Sequence, residues 1–383
     1  MRVLYVAPRY HTNQIPVVKG WIENGHQVKF ISQFAGTPED YSILQPVILG
    51  YSKLFEYIMK LYRMLFCRKE KSAKKEFDLR VKAGFPPLGS VKRQLGAFQP
   101  ELVIVRERSV YNIPFTFYCR KRNIPVILYN QSPLWDRAGQ KAGWKKKALL
   151  SMLPQMRITP VLGFQKEGMK KTPNSRFVPF VMETHCPPEE RTYFRDDKIQ
   201  LLCVGRYEGR KNLLLLVDAV KDLILPYKLH LTIIGEATDQ NQKEYLSQLK
   251  ERIKNNSLEE HITLLQNCSM EKMYEEYKRA DLFVLPSTKE RASISQLEAM
   301  SCSLPVICSD TNGSACYVSN GVNGFLFRDN DMDDLQEKLK AMVSDRSRIL
   351  AMGRSSYELV CSKYQFRNYY EAVMECLREG MNL

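Results

Sequence analysis

With 383 residues, 44% of them hydrophobic and 26% charged, the chain is long enough for two cores and too apolar for wholesale disorder. Its ten cysteines include no C-x-x-C pair and no Cys/His group at zinc-ligand spacing, which favours reduced, packed thiols over a zinc site or a disulfide framework. The formal net charge is +15, from 57 Lys and Arg against 42 Asp and Glu, and no run of about eighteen uncharged apolar residues could cross a bilayer.

The first residues enter a strand directly at Val3–Ala7, with no n-region, h-region or cleavage site, so the expected location is cytoplasmic. Further strands are predicted at Val28–Ser32, Leu102–Val105 and Val126–Tyr129, with helical stretches between them. Residues 51–82 carry ten Lys/Arg against four Asp/Glu, interleaved with Leu54, Phe55, Ile58, Met59, Leu61, Tyr62, Leu65 and Phe66. A second stretch, Lys141–Arg157, adds five basic residues, no acidic ones and Trp144. Such interleaving suits either a solvated charged face or an anionic membrane surface, and no nucleic-acid module accompanies it. Peripheral association with an anionic membrane surface, and no nucleic-acid partner, is the expectation.

Residues Thr184–Asp197 combine paired prolines with charge and lack apolar periodicity, as a linker does. Beyond them, Gln200–Val204, Leu229–Ile234, Ile262–Leu265, Leu282–Leu285, Val306–Cys308 and Gly324–Phe327 read as six short buried strands. Helices are predicted between them at Leu213–Leu223, Gln242–Lys254, Met270–Arg279 and Ser293–Met300. That alternation predicts an α/β, doubly wound parallel sheet. The tail, Asp345–Leu383, reads as helices rich in Tyr and Met.

The chemistry concentrates in this second half. Glu290 follows the Leu282–Leu285 strand in a strand-to-helix loop, at the edge where open α/β sheets bind ligands. Glu298, eight residues on, is about two helical turns away and points toward the same crevice. Carboxylates accept from vicinal sugar hydroxyls, while the helix start at Ser293, Ile294 and Ser295 offers backbone N–H groups to a diphosphate. Upstream, the strand ending at Val204 is followed by Gly205, which permits a tight turn, and by Arg206 and Lys211, two cations within reach of a diphosphate. Taken singly, each piece is equally at home on a solvated helix or loop.

In order, the chain reads strand-G-R-x4-K-N, I-I-G-E, A-D-L-F-V-L-P-S, E-x7-E-A-M, L-P-V-I-C-S-D and N-G-F-L-F. This succession resembles the second domain of the retaining GT-B glycosyltransferases of group 1, glycosyltransferase family 4, closely over about residues 201–327. The resemblance implies two Rossmann-like doubly wound domains facing each other across a cleft. It places an acceptor-binding domain at 1–185 and a nucleotide-sugar-binding domain at 198–363, with the terminal helix, about 364–383, packing back on the first. It implies that Arg206 and Lys211 bind the diphosphate, Glu290 orients the donor sugar and Glu298 holds the ribose. Ser293, Ile294 and Ser295 then face the phosphates, with Gly205 at the turn. The donor is a nucleoside diphosphate sugar of UDP or GDP type, the acceptor a glycan or lipid-linked hydroxyl, and no metal or other cofactor is required.

Several glycines usual in these motifs are replaced, at Ala292-Ser293 and in Ser301-Cys302-Ser303, and Asn312–Cys316 lacks a further Glu. These losses suit an alternative, a non-catalytic GT-B protein that binds a nucleotide sugar or a partner. Family members use an N-domain histidine near the reacting sugar; His11 is the candidate, while His26 in a helix-to-strand turn reads as structural. Tyr129, Asn130 and Gln131, past a strand end, are further candidates for the acceptor side. Asp329, Asp331 and Asp333 have D-x-D spacing but suit an acidic helix start rather than a metal site. No G-x-G-x-x-G follows a predicted strand, which argues against a dehydrogenase, and no pyridoxal lysine site marks a phosphorylase.

Overall fold

A computed structural model describes all residues except 37–39, 67–70, 108, 138–150, 155, 164–167 and 381–383. Most of the second basic stretch, Trp144 included, lies outside the described residues. The chain divides into two compact units, Met1–Val181 with Phe366–Leu383, and Met182–Gln365.

The first unit holds a parallel sheet in the order β3-β2-β1-β4-β5-β7-β9. The strands are β1 (Arg2–Ala7), β2 (Gln27–Ser32), β3 (Val47–Ile48), β4 (Leu102–Arg106), β5 (Val126–Tyr129), β7 (Met156–Thr159) and β9 (Ser175–Phe177). A short antiparallel pair, β6 (Trp135–Arg137) with β8 (Met169–Lys171), stands apart from it. Alternate residues of β1 feed different cores, as the two-residue period of a strand requires. Val3 and Tyr5 pack with Val18 and Trp21 of α1 (Ile15–Glu23) and with Tyr369 and Val373 of the last helix, Phe366–Gly380. Leu4 and Val6 pack with Leu95 of α4 (Leu88–Phe98) and Phe115 of α5 (Ile113–Arg120).

Between β3 and α4 the chain forms a helical hairpin, α2 (Lys53–Phe66) and α3 (Lys71–Ala83). It is held from within by ion pairs: Arg80 reaches Glu56 at 2.8 Å and Glu76 at 3.0 Å, and Arg63 reaches Glu76 at 2.7 Å. Hydrogen bonds from Arg63 hold the Glu76 carboxyl below its ordinary pKa despite its burial. The Ser109 hydroxyl donates to the Val81 carbonyl at 2.7 Å, which ties α3 to the sheet domain.

The second unit holds a parallel sheet ordered β12-β11-β10-β13-β14-β15. Its strands are β10 (Ile199–Val204), β11 (Leu229–Gly235), β12 (Ile262–Gln266), β13 (Leu282–Leu285), β14 (Val306–Ser309) and β15 (Gly324–Phe327). Numbered within the unit this is 3-2-1-4-5-6, the doubly wound order whose switch point falls between β10 and β13. The helices are α6 (Leu213–Val220), α7 (Ile224–Tyr227), α8 (Gln240–Asn255), α9 (Met270–Arg279), α10 (Ile294–Ser301), α11 (Met332–Val343) and α12 (Arg346–Lys363); α13 (Phe366–Gly380) returns to the first unit. The predicted helix over Leu213–Leu223 stops at Val220, and the single turn α7 follows it from Ile224.

Two expectations are corrected. Within the stretch that reads as a linker, Arg191 is packed into the second unit, where its guanidinium donates to the carbonyls of Ala280 and Cys302. The buried Asp281 carboxylate in turn accepts the Phe194 N–H at 3.0 Å and the Gln200 N–H at 2.8 Å. Arg157, counted above with the surface cations, is buried in β7 and donates to Ser175 Oγ, Asn130 Oδ1 and the carbonyls of Ser132 and Pro133.

Candidate active site

The switch point of the second sheet brings three segments together. The first is the loop after β10. Gly205 has no left-handed φ; its requirement is clearance, since an added Cβ would stand 3.0 Å from Cε and 3.2 Å from Nζ of Lys211. The Lys211 stem therefore lies against bare backbone, in a buried position that a longer residue at 205 would contest. Residues Gly209–Lys211 form one 3-10 turn, closed by Asn212 in the left-handed region at φ 50°.

The second segment, after β13, carries Glu290. Its Oε2 lies 2.5 Å from Lys211 Nζ and its Oε1 3.3 Å from Arg210 Nη1, with Lys211 and Glu290 side chains only 7% and 13% exposed. Burial raises the Glu290 carboxyl pKa, but the Lys211 ammonium and the Arg210 guanidinium outweigh it, and the net displacement is downward. The stability this carboxylate contributes is complete above its ordinary value of 4.5 and is lost as pH falls through its lower folded value. The loop is itself fastened: the Thr288 N–H donates to the Arg210 carbonyl at 2.8 Å, and the Gly313 N–H to the Glu290 carbonyl at 2.8 Å.

The third segment is the start of α10. Ser293 is the N-cap in extended geometry, and no side chain caps the first turn. The Ser293 N–H donates to Ser314 Oγ at 2.5 Å, and Ser293 Oγ and Ser295 Oγ are 2.7 Å apart. Ile294 and Ser295 thus open the helix with first-turn N–H groups that have no partner within it.

Glu298 lies on the same helix, where Tyr277 Oη of α9 donates to its Oε2 at 2.8 Å. Burial raises the Glu298 carboxyl, partly offset by that hydroxyl. Arg206 is exposed and pairs at 3.3 Å with Glu236, just past β11. The structure thus joins Glu290 with Lys211, while Glu298 and Arg206 make other partners.

In the first unit, His11 caps the turn Thr12–Gln14: its Nδ1 accepts the Asn13 N–H at 3.4 Å, and Gln14 Oε1 accepts the His11 N–H at 3.0 Å. His26 meets the chain's amino terminus at 3.1 Å and stands edge-on to Trp21. Asn130 is buried on Arg157, and Tyr129 lies under Arg106, 5.6 Å from ring centre to guanidinium. Asn13, Gln14, Arg106 and Tyr129 line one small cavity at the carboxyl ends of β1, β4 and β5.

The D-x-D spacing has structural work. Asp331 caps α11 by accepting the Asp334 N–H at 3.0 Å, and Asp329 accepts the Thr288 hydroxyl at 2.5 Å. Replacing Asp331 with Ala should cost about 1 kcal/mol, the usual worth of an N-cap. Denaturant midpoints would check it; a loss of activity restored by added divalent metal would instead make Asp331 a ligand.

Sequence reading missed Arg210, Gly313, Ser314 and Tyr277. Only Gly313 carried a signal, in the Asn312-Gly313 turn; the others look like any loop or helix residue.

Residues 189–359 match the family model described as glycosyl transferases group 1. An uncharacterised glycosyltransferase of Methanocaldococcus jannaschii is 30% identical over 157 residues, 41% of this chain and 42% of that protein. The UDP-Gal:alpha-D-GlcNAc-diphosphoundecaprenol alpha-1,3-galactosyltransferase of Escherichia coli is 32% identical over 147 residues, 37% of this chain and 36% of that protein. The aligned stretches thus span about two fifths of these relatives. The crystal structure of Anabaena HepE in complex with UDP-glucose superposes with a TM-score of 0.68 at 12% identity, covering 99% of this chain and 100% of that one. The fold, two Rossmann-like α/β units, is GT-B, and its second unit carries the similarity to the group 1 glycosyltransferases.

Proposed function

We propose that the protein transfers a sugar from a nucleoside diphosphate sugar to an acceptor hydroxyl, with retention at the anomeric carbon, in surface polysaccharide or glycolipid synthesis. The observation that carries this reading is the buried Lys211–Glu290 pair at the switch point, beside the first turn of α10. An ammonium and a carboxylate held side by side suit a ligand with a diphosphate at one end and a hydroxyl-bearing ring at the other. In this reading Lys211, Arg206 and the N–H groups of Ile294 and Ser295 hold the diphosphate, with Ser293 and Gly205 shaping its seat. Glu290 accepts from the donor sugar hydroxyls and Glu298 from the ribose. The bond from anomeric carbon to diphosphate oxygen breaks while the acceptor oxygen bonds to that carbon. The acceptor's proton passes to the departing diphosphate, whose charge the cations stabilise.

The second unit is the donor unit in this reading, and the first, Met1–Val181 with Phe366–Leu383, takes the acceptor. UDP-glucose in the HepE structure and UDP-Gal in the Escherichia coli relative's name support a UDP-type donor. The diphosphoundecaprenol in that name supports a lipid-linked acceptor, and in this reading the protein works at the cytoplasmic face of a membrane. His11 is the acceptor-side histidine. A His11→Asn variant, which keeps a capping side chain, should retain its melting temperature and lose about tenfold or more in kcat. Unchanged kcat would return His11 to a purely capping role.

The test is a thermal-shift screen of UDP- and GDP-sugars followed by assay of nucleoside diphosphate release and NMR of the product's anomeric configuration. A stabilising donor, diphosphate release and a retained configuration are expected. Stabilisation without release, across acceptors of both classes, would favour the non-catalytic binding protein.

A further inference from the structure

The α2–α3 hairpin belongs to the first unit, and one face of α2 has no protein partner among the described residues of that unit. Leu54, Tyr57, Ile58, Leu61, Met64 and Leu65 are exposed, from 38% for Leu61 to 71% for Leu54 and Leu65. At 100° per residue these six fall within an arc of about 120° on one side of the helix. Phe55 and Met59 lie on the far side, Met59 fully buried, and Glu56 and Arg63 close the hairpin there through their ion pairs. Scattered apolar side chains on a surface need no explanation; six in a continuous stripe do.

The charges narrow the occupant. Both acidic groups of the hairpin's inner side, Glu56 and Glu76, are neutralised by Arg80 and Arg63. Lys53 and Lys60 are exposed along one edge of the apolar arc, so the rim is cationic. We propose that this face of α2 docks on an anionic bilayer, the apolar arc entering the headgroup boundary and Lys53 and Lys60 meeting lipid phosphates. A second copy of the chain is the competing occupant. A two-fold interface would set these lysines against their own copies, and each molecule carries a net +15, whereas an anionic lipid surface supplies the opposite charge. The purpose of the docking rests on the lipid-linked acceptor of the preceding reading, but the docking itself needs neither donor nor acceptor.

Flotation of the full chain with phosphatidylglycerol-containing vesicles, and with pure phosphatidylcholine vesicles, tests this without substrates. Binding to the anionic vesicles, weakened by salt, is expected. The Leu54→Ser/Ile58→Ser/Leu65→Ser variant should lose about tenfold or more in affinity, and Lys53→Glu/Lys60→Glu should lose binding to anionic vesicles. Nucleoside diphosphate release from the donor in the absence of vesicles should stay at the wild-type level in both, which separates failed docking from a failed transferase reading. Wild-type chain that stays in the soluble fraction at low salt, or a serine variant that floats as well as wild type, would overturn the proposal. So would light scattering that shows a dimer converted to monomer by the serine substitutions with vesicle binding unchanged.

Discussion

Replacing Lys211 with Met is expected to lower kcat by about a hundred- to a thousand-fold, the worth of one preorganised group at a developing oxyanion. It should also lower stability by roughly 2–3 kcal/mol, because the substitution leaves Glu290 with one partner fewer in a nearly dry site. The loss falls short of that for a wholly orphaned buried charge, since Arg210 still reaches Oε1 at 3.3 Å. The two effects separate in a double-mutant cycle. Lys211→Met with Glu290→Gln removes both charges together and should recover most of the stability, with no recovery of turnover. Denaturant midpoints and steady-state rates on the four proteins check it. Equal additive losses in stability would mean that the pair is not coupled, and unimpaired turnover in Lys211→Met would remove the lysine from the chemistry.

Gly313 gives the second large effect, at a residue with no charge. An added Cβ there would stand 1.4 Å from the Arg291 carbonyl oxygen and 3.2 Å from that of Glu290, both backbone atoms. No rotamer relieves such a contact; one of the two loops has to move. The displaced loop is the one that carries Glu290, whose carbonyl accepts the Gly313 N–H. Gly313→Ala should therefore cost about 3 kcal/mol or more of stability and weaken nucleotide-sugar affinity at least about tenfold. Thermal melting and donor titration measure the two. Wild-type affinity in a folded Gly313→Ala protein would show that the Glu290 loop tolerates the shift. The glycine replacements at Ala292-Ser293 gain a physical reading from the same place. The Ser293 backbone is held there by Ser314 Oγ, one residue beyond Gly313.

The second sheet was legible because its central strands are buried on both faces and so run largely apolar, as in Leu282–Leu285 and Val306–Ser309. All six predicted strands of that unit match within a residue at each end. In the first unit β7 escaped notice because Arg157 interrupts it, and nothing local shows that four acceptors elsewhere in the fold offset its burial in a strand. The strands β3, β6 and β8 are two or three residues long, too short for any period. At the site, sequence order placed Glu290 and Lys211 near one edge, since both follow strands flanking the switch point. Their direct pairing was not legible, nor was the Tyr277 hydroxyl on Glu298, because both join residues 21 to 79 positions apart. The basic stretch over residues 51–82 announced mixed apolar and charged character, but only the packing distinguishes Met59 inside from Leu54 outside.

The route of the chain has a consequence for its birth on the ribosome. The second unit is one uninterrupted segment, whereas the first is completed by α13, made about 185 residues after its other parts. Until then the indole of Trp21 lacks its neighbours Phe366 and Tyr370, and the Tyr5 hydroxyl, which accepts from Trp21 Nε1 at 2.8 Å, lacks the Tyr369 hydroxyl 3.1 Å away. The second unit is thus free to mature while the unit begun first still shows an open apolar groove to solvent. That order makes the nascent first unit, rather than the finished enzyme, the species most in need of a chaperone.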